Sequence, residues 1–302
     1  MRKYLLALVL VLLGNCTAFA AFSTYQEAYT SGNAKVKAAK LVEARADFTE
    51  AFSLAADDVA RGDAQYALAN TYLKERNFTQ AAAEFTKLLG IAGVKPEVRV
   101  DAQSQLAGCY MGDKKYVEAR AEYAKLAGMP KVTAIQLISA QYYTAFCLQS
   151  EKKIDEAISE YGKILLNKDA SMIYKVWAYG GIASCYISQG KFAEARAEQE
   201  KILSMPNISA ANKAATLMSI GIAYLVYEKK HAEARTEFAK VLAMPDAPAA
   251  QRSTAQLYIA GTYLAEKNNA QARIEYTKLM EMPEALPVHK AAAGKQLKAL
   301  PQ

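Results

Sequence analysis

A ladder of seven alanines at nearly equal intervals is the feature that most constrains this sequence. Ala44, Ala81, Ala119, Ala157, Ala195, Ala234 and Ala272 follow one another at steps of 37, 38, 38, 38, 39 and 38 residues. The surrounding segments are similar, as residues 117–123 (VEARAEY) and 232–238 (AEARTEF) show. A period of this length is typical of a solenoid, in which each supersecondary unit buries its apolar face against its neighbours.

Each repeat contains the pattern of two helices. In the repeat around Ala119, apolar or small residues recur at steps of three and four over residues 99–111 and again over 116–127, which predicts two amphipathic helices. Residues 112–115 form the turn, and Met129-Pro130 ends the second helix because proline cannot continue it. No segment shows sustained period-two alternation, so the sequence predicts an all-α fold.

Four positions recur through the repeats: a small residue and a tyrosine on the first helix, then an alanine and an aromatic on the second. Three complete sets are Ala69, Tyr72, Ala81 and Phe85; Ala107, Tyr110, Ala119 and Tyr123; and Ala260, Tyr263, Ala272 and Tyr276. Gln199 replaces the final aromatic in one repeat, and Leu148 replaces the tyrosine in another. The pattern resembles the tetratricopeptide repeat (TPR). That resemblance implies a right-handed α-solenoid of stacked antiparallel helix hairpins, a TPR-like superhelix.

The repeat spacing and the N-terminal sequence divide the chain into four predicted segments. These are a signal peptide (1–20), a degenerate N-terminal repeat (21–57), six TPR-like repeats (58–287) and a C-terminal capping helix (288–302). The family period is usually 34 residues, so this repeat of about 38 residues is lengthened, at the joint between hairpins. Ser31-Gly32-Asn33 is expected to interrupt the first helix, and one inserted residue predicts a longer turn at 227–230.

The N-terminus has the features of a secretory signal peptide. Arg2 and Lys3 precede an apolar run over residues 5–13, which is too short to span a bilayer, and Ala18-Phe19-Ala20 offers a cleavage site. The mature chain is therefore expected to be exported, to the periplasm, and to contain no transmembrane segment. Secretion, a lipid anchor through Cys16 and an uncleaved membrane anchor remain alternatives.

Charge and composition exclude several functions. The formal charge of +7 falls to +5 without Arg2 and Lys3, and the basic residues alternate with glutamates, so no nucleic-acid partner is expected. Neither histidine has metal-ligand spacing, and no phosphate loop or nucleophile elbow occurs. The sequence thus predicts no catalytic residue, no cofactor and no metal. Acidic residues three positions after each ladder alanine, with lysines three further on, predict a charge ladder on a solvated face.

Three cysteines occupy equivalent repeat positions. Cys109, Cys147 and Cys185 are 38 residues apart. Equivalent positions in stacked helices lie roughly 10 Å apart, whereas a disulfide needs Cα atoms within about 7 Å. Buried free thiols are therefore expected.

The resemblance also indicates where a partner binds, because first helices line the concave face in this family. Mapping the repeats onto that face predicts an apolar, aromatic groove that suits an amphipathic helix or an extended peptide, with the single tryptophan as a typical interface residue. Its predicted residues are Tyr66, Asn70, Leu73, Tyr142, Phe146, Gln149, Trp177, Ile187, Met218, Ile222, Leu225, Leu257 and Leu264. The same residues would alternatively pack against a neighbouring repeat or a dimer mate.

The sequence therefore predicts a non-enzymatic protein–protein interaction scaffold of the cell envelope, which binds a peptide or helix of a protein partner. One alternative is a structural module that self-associates as a homo-oligomer through the same apolar strip. Another is an envelope enzyme that acts on glycan, although no candidate acid, base or nucleophile departs from the repeat.

Overall fold

A computed structural model describes residues 22–301, and these residues form two compact units. The predicted signal peptide and Cys16 lie outside the described residues. From 22 to 301 the chain forms α-helices with short 3-10 and π segments and no strand, which confirms the predicted all-α fold. In that same range, no helix is long and apolar enough to cross a membrane.

The first unit, which ends at Thr133, contains six α-helices among its described residues. They are α1 (Tyr25–Lys37), α2 (Leu41–Leu54), α3 (Asp58–Lys74), α4 (Phe78–Leu89), α5 (Pro96–Gly112) and α6 (Tyr116–Lys125), followed by a 3-10 turn (Leu126–Gly128). Consecutive helices pack against each other.

The second unit begins at Ala134 and is described as far as residue 301. Its helices are α7 (Ala134–Ser150), α8 (Ile154–Leu166), α9 (Met172–Ser188), α10 (Phe192–Leu203), α11 (Ala210–Ile222), α12 (His231–Leu242), α13 (Ala249–Ala265), α14 (Asn269–Glu281) and α15 (Pro287–Ala299). A π-helical segment, Ala223–Glu228, extends α11.

The ladder alanines lie on the second helix of each hairpin. All seven are at most 1 % exposed, and their small side chains permit close packing between helices. The aromatic residue four positions later fills the adjoining space, as Phe85, Tyr161 and Phe238 do with exposures of 1 % or less. The recurring alanine and aromatic therefore build the core of each unit.

The turn inside each hairpin has one conformation. Seven residues, each two positions before a second helix, have φ between 58° and 75°: Ala39, Arg76, Lys114, Lys152, Gly190, Lys229 and Lys267. Only one of them is glycine, the residue that adopts this left-handed region without steric cost.

The predicted interruption at Ser31-Gly32-Asn33 is wrong, because all three residues lie inside α1. A Cβ atom on Gly32 would lie 2.6 Å from Cε1 of Phe48. Gly32 therefore serves the close packing of α1 on α2 and does not end a helix.

The predicted longer turn at 227–230 is also wrong, because the inserted residue lies in the π-helical segment. The Lys230 N–H bonds the Tyr224 carbonyl at 2.9 Å, six residues back, whereas Asn268 bonds Tyr263 at 2.9 Å, five residues back. One residue is thus added to the last turn of the helix, and the left-handed turn at Lys229 keeps its geometry.

The glutamates of the charge ladder are not on a solvated face as predicted. Glu84 is only 8 % exposed. It accepts hydrogen bonds from Gln65 Nε2 at 2.6 Å and from Lys87 Nζ at 2.9 Å. Gln256 and Glu275 repeat the arrangement at 2.8 Å. The glutamine of the first helix thus bonds the glutamate of the second, and the lysine is the exposed member.

The cysteines have the predicted state. Cys109, Cys147 and Cys185 are buried and free of disulfides. Burial and, for Cys109, the nearby Asp113 carboxylate raise the thiol pKa, to about 12 for Cys109 and about 11 for Cys185.

Candidate binding groove

The second unit contains a groove of about 580 Å³ that involves the first helices α7, α9 and α11. We call it the aromatic groove. Its aromatic residues are Tyr142, Phe146, Tyr161, Trp177 and Tyr227, and its polar residues are Gln149, Ser184, Gln199, Asn212, Thr216 and Ser219. Every residue that lines it is uncharged, so the groove offers apolar surface and neutral hydrogen-bonding groups.

The groove lies beside a break in the repeat pattern. Gln199, in α10, takes the position that Tyr161 and Phe238 hold in the repeats on either side. Its side chain is smaller than a tyrosine or phenylalanine side chain, so less of the space around it is filled. Gly180 and Gly181 of α9 also line the groove, and Gly181 lacks a Cβ that would lie 2.4 Å from the Tyr161 ring.

Trp177 is held between two tyrosines. Its ring centre lies 5.5 Å from that of Tyr142 and 5.3 Å from that of Tyr174, the second contact being edge-on at 79°. These are favourable separations for aromatic pairs. Trp177 is nevertheless 41 % exposed, and Phe146 is 39 % exposed. The tyrosines therefore fix the orientation of the indole and leave part of its surface exposed.

The polar residues form two hydrogen-bonded groups. Gln149 donates to Ser184 Oγ at 2.8 Å and accepts from the Tyr161 hydroxyl at 3.2 Å. Gln199 donates to Ser219 Oγ at 2.8 Å, but its Oε1 is buried without a partner among the described residues. Burial also raises the pKa of Tyr142 and Tyr161 above the usual range, so both phenols are neutral at physiological pH.

The structure brings part of the predicted groove together. Tyr142, Phe146, Gln149, Trp177, Ile187 and Ile222 line the aromatic groove. Met218 lines a second depression of about 400 Å³ that shares Ile222 and Ser219 with it.

The remaining predicted residues lie elsewhere. Leu225 packs on the core cluster of Phe238, and Leu257 and Leu264 pack on the cluster of Tyr276. In the first unit, Tyr66 and Leu73 pack on the cluster of Phe85, and the Asn70 amide bonds the Tyr66 carbonyl at 2.9 Å.

The sequence prediction missed the polar side of the groove, namely Ser184, Gln199, Asn212, Thr216 and Ser219. Gln199 carried a signal, because it replaces an aromatic residue of the repeat. Tyr227, which lies in the π-helical segment, was also missed. It is 54 % exposed and its ring centre lies 5.9 Å from that of Phe192. Single π-helical turns inside α-helices often occur at functional sites.

The stacked hairpins define a helical-repeat protein of the solenoid class. Residues 62–94 and 178–207 match the sequence model of the tetratricopeptide repeat, so the chain carries tetratricopeptide repeats. The second match includes Gln199 and most of the α9 residues of the aromatic groove. No curated protein sequence matches the chain.

Solved structures with the same fold include other repeat proteins. A tetratricopeptide repeat protein from Parabacteroides merdae is 17 % identical, with a TM-score of 0.59 over 91 % of this chain and 97 % of that one. The C-terminal part of a TPR protein from Cytophaga hutchinsonii is 22 % identical, with a TM-score of 0.52 over 78 % and 95 %. The apo form of RapI is 12 % identical, with a TM-score of 0.56 over 85 % and 75 %.

Proposed function

We propose that this protein is an interaction scaffold of the cell envelope that binds a peptide segment of a partner protein in the aromatic groove. The repeat fold supports a protein-interaction scaffold in general. The observation that carries the finer proposal is the indole of Trp177, oriented by two tyrosines yet 41 % exposed. Tryptophan is enriched among the residues that dominate binding energy at interfaces.

The chemistry of the groove supports binding without a catalytic step. Its residues are aromatic, aliphatic, amide or hydroxyl in character. Within residues 22–301, no group of three or more histidine, cysteine or acidic residues is arranged to hold a metal ion. Tetratricopeptide repeat proteins are typically non-enzymatic.

The experiment is selection from a phage-displayed library of random 12-residue peptides, followed by affinity measurement on the selected sequences. We expect the wild-type protein to enrich a consensus, and Trp177→Ala to weaken binding by at least about tenfold, since interface tryptophans contribute about 2 kcal/mol or more. Leu166→Ala is the matched control, because Leu166 is 85 % exposed and lies outside the groove. Selected peptides that bind Trp177→Ala as tightly as wild type would contradict the proposal.

Self-association is the competing result. Sedimentation of the wild type and of Trp177→Ala distinguishes it from peptide binding. A stable wild-type dimer that Trp177→Ala dissociates would assign the groove to a second copy of this chain.

The envelope location is supported by Arg2, Lys3, the apolar run after them and Ala18-Phe19-Ala20. Expression of the full chain in a bacterium with an outer membrane, followed by N-terminal sequencing of the periplasmic product, tests it. We expect a product that begins at Ala21. Retention of label from a radioactive fatty acid, lost in Cys16→Ser, would instead show a lipid anchor.

A further inference from the structure

We infer that the segment bound in the aromatic groove is an extended peptide with uncharged side chains, and that one of its backbone N–H groups donates to Gln199. This inference rests on the proposed peptide-binding function. It names the chemistry of the partner and a residue that selects it.

Only one of the two polar atoms of the Gln199 side chain has a hydrogen-bond partner within residues 22–301. It is 3 % exposed, and Nε2 donates to Ser219 Oγ at 2.8 Å. Its Oε1 is buried and bonds nothing among the described residues. A buried acceptor without a partner is unfavourable, and a donor supplied by a ligand removes that cost. Gln199 lines the groove, so an occupant can supply the donor once the side-chain amide turns its buried Oε1 towards the groove.

An extended segment supplies such a donor more readily than a helix. In a helix, the N–H groups beyond the first turn bond carbonyls four residues back. In an extended segment the N–H groups are free to bond a receptor. The Gln149 amide does not compete for this donor, because it bonds both Ser184 and Tyr161.

Charge excludes ionic side chains from the part of the peptide that enters the groove. No lining residue is charged. On α10, Lys201 pairs with Glu198 at 2.7 Å and Arg196 pairs with Glu228. A charged side chain would lose its hydration in the groove without gaining an ionic partner. Apolar or aromatic side chains can instead contact the exposed faces of Trp177 and Phe146.

The test is a coupling cycle between Gln199 and the peptide backbone. Each peptide bond of a selected peptide is N-methylated in turn, and affinity is measured for the wild type and for Gln199→Leu, which keeps a similar size but has no acceptor. On the wild type, we expect one N-methylation to weaken binding at least tenfold. We expect Gln199→Leu to bind the unmodified peptide at least fivefold more weakly than the wild type does. On that variant, the same N-methylation should have little further effect on affinity. If Gln199→Leu fails to fold, Gln199→Met takes its place in the cycle.

Gln199→Tyr provides a second variant. It restores the aromatic residue that Tyr161 and Tyr276 supply at the equivalent positions, so we expect it to fold, to fill the groove and to abolish peptide binding. Phe238→Tyr is the matched control, since Phe238 has the equivalent position but does not line the groove. Unchanged peptide affinity in Gln199→Tyr would overturn the inference.

The outcomes separate this inference from the proposed function. A library without any binder that depends on Trp177 would reject peptide binding itself. Binders that depend on Trp177 but carry charged residues at the positions essential for binding would overturn this inference about uncharged side chains and leave the proposed function standing. Binders that lose as much affinity on N-methylation with Gln199→Leu as with the wild type would likewise overturn only this inference.

Discussion

The guanidinium carbon of Arg235, in α12, lies 4.2 Å from the centre of the Tyr263 ring, in α13. Arg235 also donates to Glu266 at 2.8 Å, so one side chain joins a second helix to the first helix of the next repeat. Arg45, Tyr72 and Glu75 form the same arrangement in the first unit, at 4.6 Å and 2.8 Å. We call this set of three residues the arginine clamp.

Removing the clamp is expected to destabilise the second unit. We expect Arg235→Ala to lower the free energy of unfolding by about 1–2 kcal/mol, because it removes a cation–π contact and a partly exposed ion pair. Denaturant unfolding followed by circular dichroism measures the change. The control is Lys240→Ala, which removes the exposed end of a pair within one helix and should cost a few tenths of a kcal/mol. Equal losses in the two variants would show that the clamp contributes nothing specific.

The π-helical segment supplies the tyrosine and the glutamate of a further clamp, whose arginine lies in α10. Arg196 lies over Tyr224 at 4.6 Å and bonds Glu228. Glu228 follows Tyr224 by four residues, whereas Glu75 and Glu266 follow their tyrosines by three. The inserted residue therefore separates the two partners of Arg196 by one further position.

Deleting Val226, which is 46 % exposed, should convert the π-helical segment to a regular helix and restore the spacing of three. We expect a melting temperature within a few degrees of wild type, because repeat length and clamp are regular again. Ala265 has the equivalent position in a repeat without an insertion, and its deletion should lower the melting temperature markedly. Calorimetry measures the melting temperature of both variants. A larger decrease for the Val226 deletion than for the Ala265 deletion would show that the inserted residue does not lie in the π-helical segment as an extra residue.

The sequence predicted the parts of the fold that repeat. The alanine period placed the hairpins, and the aromatic four residues after six of the seven alanines predicted the core, because both follow from the contact between neighbouring helices. The clamp could not be predicted from the sequence, because Tyr263 and Glu266 follow Arg235 by 28 and 31 residues and contact it only after the repeats stack.

The candidate site was predicted only in part, because a repeat-based mapping treats every first helix alike. Trp177 and Phe146 were found by that mapping and line the groove. Leu257 occupies a mapped position but packs on the core cluster of Tyr276. Gln199 lies on a second helix, outside the mapping, at the position where the other repeats have an aromatic ring.

Glycine can end a helix or allow close packing within one, and the sequence alone did not show that Gly32 does the second. Its position against Phe48, with no room for a Cβ, predicts that Gly32→Ala destabilises the first unit by about 1–3 kcal/mol, the typical cost of overpacking. Gly108 provides the matched control in α5, where a Cβ would meet nothing within 4 Å. Gly108→Ala should stabilise the helix by up to about 1 kcal/mol. Changes of the same sign in thermal unfolding would refute the packing role of Gly32.

The buried thiols provide a pH-dependent prediction. The pKa of the Cys185 thiol is raised by burial to about 11 and that of Cys109, by burial and Asp113, to about 12. Because the thiolate is the reactive form, both side chains of the folded protein should react with iodoacetamide at pH 8 at least about 100-fold more slowly than after denaturation. Peptide-resolved mass spectrometry measures both rates, with the guanidinium-unfolded protein as control. Rapid alkylation of either thiol in the folded protein at pH 8 would show that the helix interface around it opens.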